Sequence, residues 1–134
     1  MDRLFLDANV LVSAALKPGS TLATLWRLDD VRLLGSPHVV AEAQRNVHDP
    51  AARKRLGSLL ETVVILPSEP ADFDIQPDPG LPDKDRPVLL AAIVSGADYL
   101  LTGDMAHFGP LMGKTVGGVH VLLPGVYLRG RPED

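Results

Sequence analysis

Short, largely apolar runs alternate along the chain with longer segments in which apolar and polar residues are mixed. The short runs have the length and the aliphatic content of buried strands, and we predict strands at residues 4–6, 31–34, 63–66, 99–102 and 119–123. The run at 63–66 consists of Val, Val, Ile and Leu, and its β-branched residues favour a strand that is buried.

The longer segments predict helices at residues 21–28, 36–47, 49–60 and 87–95. Two of them begin with a strong start signal, Ser36-Pro37 and Asp49-Pro50. The Ser or Asp side chain can accept a hydrogen bond from a free backbone amide, and proline is tolerated in the first helical turn. Gly96 follows the last of these helices and is expected to end it.

Strands that alternate with helices indicate an α/β fold in which helices flank a central, mostly parallel sheet. The 134 residues suffice for one domain with a single core. We expect this domain to span residues 1–128, followed by a short frayed tail at residues 129–134. Proline, glycine and acidic residues dominate the segment 67–82, which we expect to be an irregular loop within the domain.

Composition excludes several kinds of site. The chain has no cysteine, so it forms no disulfide bond, thiolate zinc site or cysteine nucleophile. Aromatic residues make up 4% of the sequence and the net charge is −4, which argues against base-stacking platforms and a broad basic face. No signal peptide or transmembrane helix is readable, and we therefore expect a cytoplasmic protein without a membrane partner.

Two aspartates directly follow predicted strands. Asp7 comes after the apolar run at 4–6, and Asp104 ends the segment 99–104. Ligands of parallel α/β sheets bind beyond the carboxyl ends of the strands, where these two side chains are expected to meet. Either residue alone is equally well explained as a cap on the following turn, but the two together favour a functional site.

Glu42 and one of two further aspartates are the next candidates. Glu42 lies in the apolar stretch 39–43 of a predicted helix, where a buried carboxylate needs a partner such as a shared cation. Asp83 and Asp85 precede the helix predicted at 87–95, and an acid at a helix start is favourable whether or not it binds a ligand. The residues alone leave open which of the two belongs to the site.

A cluster of three or four carboxylates would oppose folding unless a cation neutralised it. Two carboxylates about 4 Å apart repel by roughly 4 kcal/mol at an effective dielectric constant near 20. Because the candidate ligands are oxygen atoms only, Mg²⁺ and Mn²⁺ are favoured over Zn²⁺. Such an ion can activate water and stabilise charge on a phosphate, so the first hypothesis is a metal-dependent hydrolase.

Four segments together resemble the PIN-domain proteins. They are LFLDANVLVSAAL at residues 4–16, SPHVVAE at 36–42, DRPVLLAA at 85–92, and TGD at 102–104 followed by His107-Phe108. No single segment is specific, but the combination is, and the resemblance extends over residues 4–127. It implies a three-layer PIN-like fold.

The resemblance also implies a function. PIN-domain proteins are Mg²⁺- or Mn²⁺-dependent ribonucleases, often the toxin of a bacterial toxin–antitoxin pair of the VapC kind, frequently a homodimer and inhibited by a small antitoxin protein. The implied substrate is RNA. The acidic quartet of the family corresponds to Asp7, Glu42, Asp85 and Asp104.

Other residues of the implied site surround this quartet. Asn9 and Thr102 correspond to polar residues that orient the ligands or a water molecule. Many relatives have a further acid where this chain has Arg86. This difference leaves open whether Asp83 or Asp85 is the nearer metal ligand. We expect Asp85 to be the ligand and Asp83 to lie beside the ligands.

Basic residues after Glu42 could hold RNA phosphates beside the metal. They form a cluster of Arg45, His48, Arg53, Lys54 and Arg55, from which Arg45 and Arg53 are the candidate substrate contacts, together with His107. A solvated helix face explains the basic cluster equally well, and a lone histidine after a turn is more often a structural cap.

Two other functions have to be weighed against the nuclease. The main alternative is a catalytically weak PIN-like module that binds RNA or protein. A remote alternative is a haloacid-dehalogenase-like phosphatase, in which a strand-end aspartate is the nucleophile. That class needs a second acid two residues later, where this chain has Asn9.

Overall fold

One sheet of six strands forms the centre of the computed structural model, which describes residues 1–130. The strands are β1 (Asp2–Leu6), β2 (Val31–Gly35), β3 (Val64–Ile65), β4 (Tyr99–Leu101), β5 (Thr115–Val116) and β6 (Val119–Leu122). Their order across the sheet is β3-β2-β1-β4-β6-β5, and every neighbouring pair is parallel except β5 and β6. The predicted α/β fold with a mostly parallel sheet is confirmed.

Six α-helices flank this sheet within residues 1–130. They are α1 (Ala8–Leu16), α2 (Pro37–Asn46), α3 (Pro50–Leu60), α4 (Arg86–Val94), α5 (Met105–Phe108) and α6 (Pro124–Arg129). Ser36 accepts a hydrogen bond from the Val39 amide at 3.4 Å, and Asp49 accepts one from the Ala52 amide at 3.0 Å. Both predicted start signals therefore begin the helices expected of them.

Two predicted elements differ from the structure, and three helices were not predicted. The helix expected at 21–28 is a 3-10 helix, Thr21–Arg27. The strand expected to be buried at 63–66 is limited to β3, and both of its residues are exposed because β3 pairs with β2 on one side only. Helix α1 is apolar except for Asn9 and Ser13 and therefore shows only a weak amphipathic pattern, while α5 and α6 are too short to show one.

The central strands are the most buried part of the fold. Leu4, Phe5 and Leu6 of β1 are inaccessible to solvent, as are Leu100 and Leu101 of β4. The backbone hydrogen bonding continues past the carboxyl ends of these strands, where the Asp7 amide donates to Leu101 O and the Thr102 amide donates to Leu122 O, each at 3.1 Å. The residues that follow β1 and β4 are therefore held in fixed positions.

The loop at residues 67–82 is fastened to the domain at several points. Its Ile75 is buried. Glu69 accepts a hydrogen bond from the His38 amide at 2.9 Å, at the start of α2. Arg86, at the start of α4, donates to Asp72 at 2.8 Å and to the Phe73 carbonyl oxygen. Arg86 thus anchors this loop to the start of α4.

None of the helices in residues 1–130 is long and apolar enough to cross a membrane. Helix α6 ends at Arg129, so it extends one residue past the domain boundary expected at residue 128. Residues 131–134 of the expected tail lie outside the described part of the chain.

Candidate metal centre

A cleft of about 890 Å³ opens beside the carboxyl ends of β1 and β4. Its lining includes the four acidic residues Asp7, Glu42, Asp85 and Asp104. These residues come from four different parts of the chain, and the fold brings all of them to one surface. Asp83 is exposed and lines a different pocket, together with His38 and Glu69.

Asp7 connects β1 to α1 and is the most constrained of the four acids. Only 5% of its surface is exposed. Its Oδ1 accepts a hydrogen bond from the Ala8 amide at 2.8 Å, so that the side chain caps α1. Its Oδ2 accepts hydrogen bonds from Thr102 Oγ1 at 2.8 Å and from Asn9 Nδ2 at 3.1 Å. Three donors therefore fix the orientation of this carboxylate.

Asn9 and Thr102 connect Asp7 to the loop after β4. Asn9 Nδ2 also donates to Thr102 Oγ1 at 3.2 Å, and Asn9 Oδ1 accepts a hydrogen bond from the Gly103 amide at 2.8 Å. Thr102 Oγ1 accepts a further hydrogen bond from the Asp104 amide at 3.1 Å. A Cβ atom on Gly103 would lie 3.3 Å from Asn9 Oδ1, so the close approach of Asn9 suits a glycine. The two polar residues thereby hold Asp7 and Asp104 in one network.

His107 lies between Asp85 and Asp104. Asp104 caps α5 by accepting a hydrogen bond from the His107 amide at 3.1 Å. The ring Nδ1 of His107 is 3.0 Å from Asp104 Oδ2 and 3.1 Å from Asp85 Oδ2. One N–H can serve only one of these oxygens well, and it is aligned with Asp104. Asp85 Oδ2 is consequently buried without a hydrogen-bond partner among the described residues.

This arrangement suits a divalent cation. Ligand atoms of Asp85, Asp104 and His107 lie within 4.8 Å of one another, and no other such trio is present in residues 1–130. A buried carboxylate oxygen without a donor is costly, and a cation would satisfy it. The carboxylates of Asp85 and Asp104 supply hard oxygen donors, which Mn²⁺ and Mg²⁺ prefer, while the ring N–H of His107 bonds to Asp104.

The raised pKa of Asp7 also indicates a site that suits a cation. Burial raises the pKa of its carboxyl group, the hydrogen bonds from Thr102 and Ala8 oppose this rise, and the charges of Glu42 and Asp104 add to it. Glu42 projects from α2 and is half-buried. The charges of Glu42 and Asp104 therefore disfavour the ionised form of Asp7, and a cation bound nearby would favour it.

The basic residues of the predicted substrate site lie elsewhere. Arg53 Nη1 donates to Val47 O at 2.8 Å and to Gln44 O at 3.1 Å, so its guanidinium group satisfies the carboxyl end of α2. Arg45 is exposed, and neither arginine lines the cleft; nor does His107, which contacts the acids instead. Within residues 1–130, the one lysine or arginine on the cleft wall is Arg129, which the sequence pattern had assigned to a frayed tail.

Comparisons with known proteins decide the family. A family model described as the PIN domain matches residues 3–106, which is most of the chain. The chain belongs to the PIN-domain family. The resemblance inferred from the sequence motifs is thereby confirmed. The comparison of this PIN-domain protein with curated proteins gives no match.

Two solved structures share the fold of this PIN-domain protein. The first is VapBC2 from Rickettsia felis bound to a DNA fragment from its promoter, with a TM-score of 0.63, 16% identity and coverage of 89% of this chain and 96% of that chain. The second is VapC20 from Mycobacterium tuberculosis, a sarcin–ricin loop cleaving toxin, with a TM-score of 0.53, 17% identity and coverage of 77% and 92%. At these identities the likeness shows the fold alone.

The raised pKa of Asp7 predicts how the stability of the cation-free protein depends on pH. Above the ordinary value of 3.8, the folded state retains a proton on Asp7 that the unfolded state has released. The free energy of unfolding therefore falls as the pH rises through this range. Asp7→Asn removes the titrating group and this part of the pH dependence.

Urea denaturation of both proteins in chelator, from about pH 4 to pH 7, measures the difference. We expect the wild type to become less stable relative to Asp7→Asn as the pH rises. A difference that stays constant, or that changes in the opposite direction, would show that burial does not raise the pKa of Asp7.

Proposed function

We propose that this PIN-domain protein is a divalent-metal-dependent endoribonuclease that hydrolyses RNA phosphodiester bonds. The observation that carries the proposal is the buried Asp85 Oδ2, which lacks a hydrogen-bond partner within the described chain and belongs to a residue that lines the same cleft as three further acids. Family membership supports a nuclease. The shared fold with VapC20, described as a toxin that cleaves the sarcin–ricin loop, favours RNA as the substrate.

Each member of the site has a separate task in this proposal. Asp7, Glu42, Asp85 and Asp104 would hold Mg²⁺ or Mn²⁺. When bound, the cation supplies water activation and stabilises negative charge on the phosphate. Asn9 and Thr102 keep the carboxylate of Asp7 from rotating, and Thr102 also accepts a hydrogen bond from the Asp104 amide, so that the ligands need little reorganisation when substrate arrives.

His107 takes the place of the substrate contact expected from the sequence. Its Nδ1 donates to Asp104 and lies beside Asp85, so the ring keeps these two carboxylates close together. Without it, the two like charges would separate unless the cation were present. We assign His107 a positioning role in the metal site.

We further propose that the chain is the toxin of a type II toxin–antitoxin pair and acts in the cytoplasm. Both solved neighbours belong to VapC systems, and one of them is a VapBC complex. The implied partner is a small antitoxin protein. The homodimer implied by the family resemblance stays a prediction.

The alternatives account for fewer features of the cleft. A PIN-like module with little turnover has no need for four carboxylates on one surface. A phosphatase of the haloacid-dehalogenase kind needs an acid where Asn9 stands. A carboxamide does not ionise and therefore provides no general acid, and both polar groups of Asn9 already contact Asp7, Thr102 and the Gly103 amide.

A matched pair of variants tests the cleavage proposal. Asp85 lines the cleft, whereas Asp83, two residues earlier, carries the same charge outside it. We expect Asp85→Asn to lower the rate of single-stranded RNA cleavage in Mn²⁺ by about 100-fold or more, because a lost ligand exceeds the effect of a lost supporting residue. Asp83→Asn should cleave like the wild type.

The assay follows a 5′-labelled RNA on denaturing gels, with Mn²⁺ and with excess chelator. Chelator should abolish cleavage by every preparation. Equal rates for Asp85→Asn and Asp83→Asn, or cleavage that persists in chelator, would contradict the metal–carboxylate mechanism. Absence of cleavage by the wild type on several unrelated RNAs would favour the binding module.

Expression in a bacterial host tests the toxin proposal. We expect induction of the wild-type chain without a partner to arrest growth within a few generations, since the nuclease would then be uninhibited. Asp104→Asn should permit normal growth, because a ligand is removed while the Asn side chain can still cap α5. Immunoblots confirm equal amounts of both proteins. Growth arrest of equal strength with Asp104→Asn would show that the toxicity does not depend on the acidic site.

A further inference from the structure

We propose that Arg129 binds a phosphate group of the RNA chain in the acidic cleft. This inference rests on the proposed function and adds a substrate contact to it. It also replaces Arg45 and Arg53, the contacts expected from the sequence, with a residue from the other end of the chain. The proposal depends on where α6 is anchored, on the free charge of Arg129 and on the chemistry of the cleft.

Tyr127 anchors α6 to the sheet. Its ring is buried and packs edge-on against Tyr99 of β4, with 5.0 Å between the ring centroids. Its hydroxyl group donates to Asp2 of β1 at 2.6 Å. The helix is thereby held against both central strands, and it places Val126 and Arg129, three residues apart and on one face, at the wall of the cleft.

The guanidinium group of Arg129 lies along its own helix. Its Nη1 is 3.2 Å from the point where a Cβ atom of Gly125 would stand, and Gly125 itself lines the cleft. A larger residue at position 125 would displace the guanidinium group from this wall. The absence of a side chain at Gly125 thus allows Arg129 to extend back along the cleft.

The charge of Arg129 is not neutralised within the described chain. The ion pairs of residues 1–130 involve Arg86 and His107, so no carboxylate of these residues lies within 4.0 Å of Arg129, although four of them line the same cleft. An arginine whose task was to balance these acids would be paired with one of them. Arg129 is instead available to an anionic ligand.

A phosphodiester satisfies both parts of this cleft. Its oxygens can contact a cation held by the carboxylates and, at the same or a neighbouring phosphate, accept paired hydrogen bonds from a guanidinium group. Val12, Leu22 and Val126 add an apolar stretch to the lining, which suits a ribose or the face of a base better than a second charge. RNA therefore fits the cleft better than a free inorganic anion does.

Equilibrium binding at several salt concentrations tests the role of Arg129. The probe is a fluorescein-labelled single-stranded RNA, and Ca²⁺ replaces Mn²⁺ so that cleavage is slow while the carboxylates remain neutralised. Three variants are compared with the full-length wild type. Arg129→Gln removes the charge, Arg129→Lys retains it without the planar fork, and Arg32→Ala removes an equal charge at the amino end of β2, away from the cleft.

We expect Arg129→Gln to weaken RNA binding about tenfold or more, since a hydrogen bond to a charged group is lost. The slope of log Kd against log salt should decrease by about 0.7, the value for one phosphate contact on a single strand. Arg129→Lys should keep the slope and bind with intermediate affinity. Arg32→Ala should retain wild-type affinity and slope. Thermal unfolding and circular dichroism verify that each variant is folded. If Arg129→Gln does not fold, Arg129→Ala replaces it as the neutral variant.

The outcomes separate this inference from the proposed function. Wild-type affinity and slope in the folded neutral variants would overturn the role of Arg129, whether or not the protein cleaves RNA in Mn²⁺. RNA binding that depends on Arg129 without any cleavage in Mn²⁺ would overturn the nuclease and keep the phosphate contact. A wild type that does not bind RNA under any condition would overturn both.

Discussion

The burial of one carboxylate, that of Asp7, is the constraint on which the rest of the site depends. A desolvated carboxylate is costly unless donors surround it, and the donors of Asp7 come from the start of α1 and from the end of β4. This requires β1 and β4 to be adjacent and in the observed register, in which the Asp7 amide also bonds to Leu101 O. The pairing of β1 with β4 therefore both builds the buried centre of the sheet and brings the donors of Asp7 together at the cleft.

The remaining acids depend on that constraint in different ways. Asp104 shares the network of Asp7 through Thr102, whereas Asp85 comes from the start of α4 and reaches the site beside His107. The donors satisfy Asp7 only in part, since burial still raises its pKa. Asp85 Oδ2 accepts no hydrogen bond from the described residues, although His107 Nδ1 lies 3.1 Å from it. A divalent cation would both favour the ionised form of Asp7 and satisfy Asp85 Oδ2. The rigid hydrogen-bond network and the incompletely neutralised carboxylates thus together support the proposed cation site.

Local sequence patterns predicted where the acidic residues lie, but they did not predict which other residues surround the cleft. Asp7 and Asp104 could be inferred because each ends a short apolar run, and the order of such strands determines which ends meet. The exposure of β3 depends on the strand order across the whole sheet, which no local pattern contains. Arg53 follows Glu42 closely in the sequence, yet its guanidinium group binds helix-end carbonyls. The position of Arg129 in the cleft could not be predicted, because α6 is too short to show a helical periodicity. The hydrogen bond from Tyr127 to Asp2, which anchors α6, connects residues from opposite ends of the chain.

We propose above all that the carboxylates of the cleft bind a divalent cation. Calorimetric titration of Mn²⁺ into protein stripped of metal tests it without any substrate, for the wild type, Asp85→Asn and Asp83→Asn. We expect saturable binding to the wild type and to Asp83→Asn with similar affinity, and at least about tenfold weaker binding to Asp85→Asn. Equal Mn²⁺ affinity in all three proteins, or no saturable binding to the wild type, would contradict this proposal.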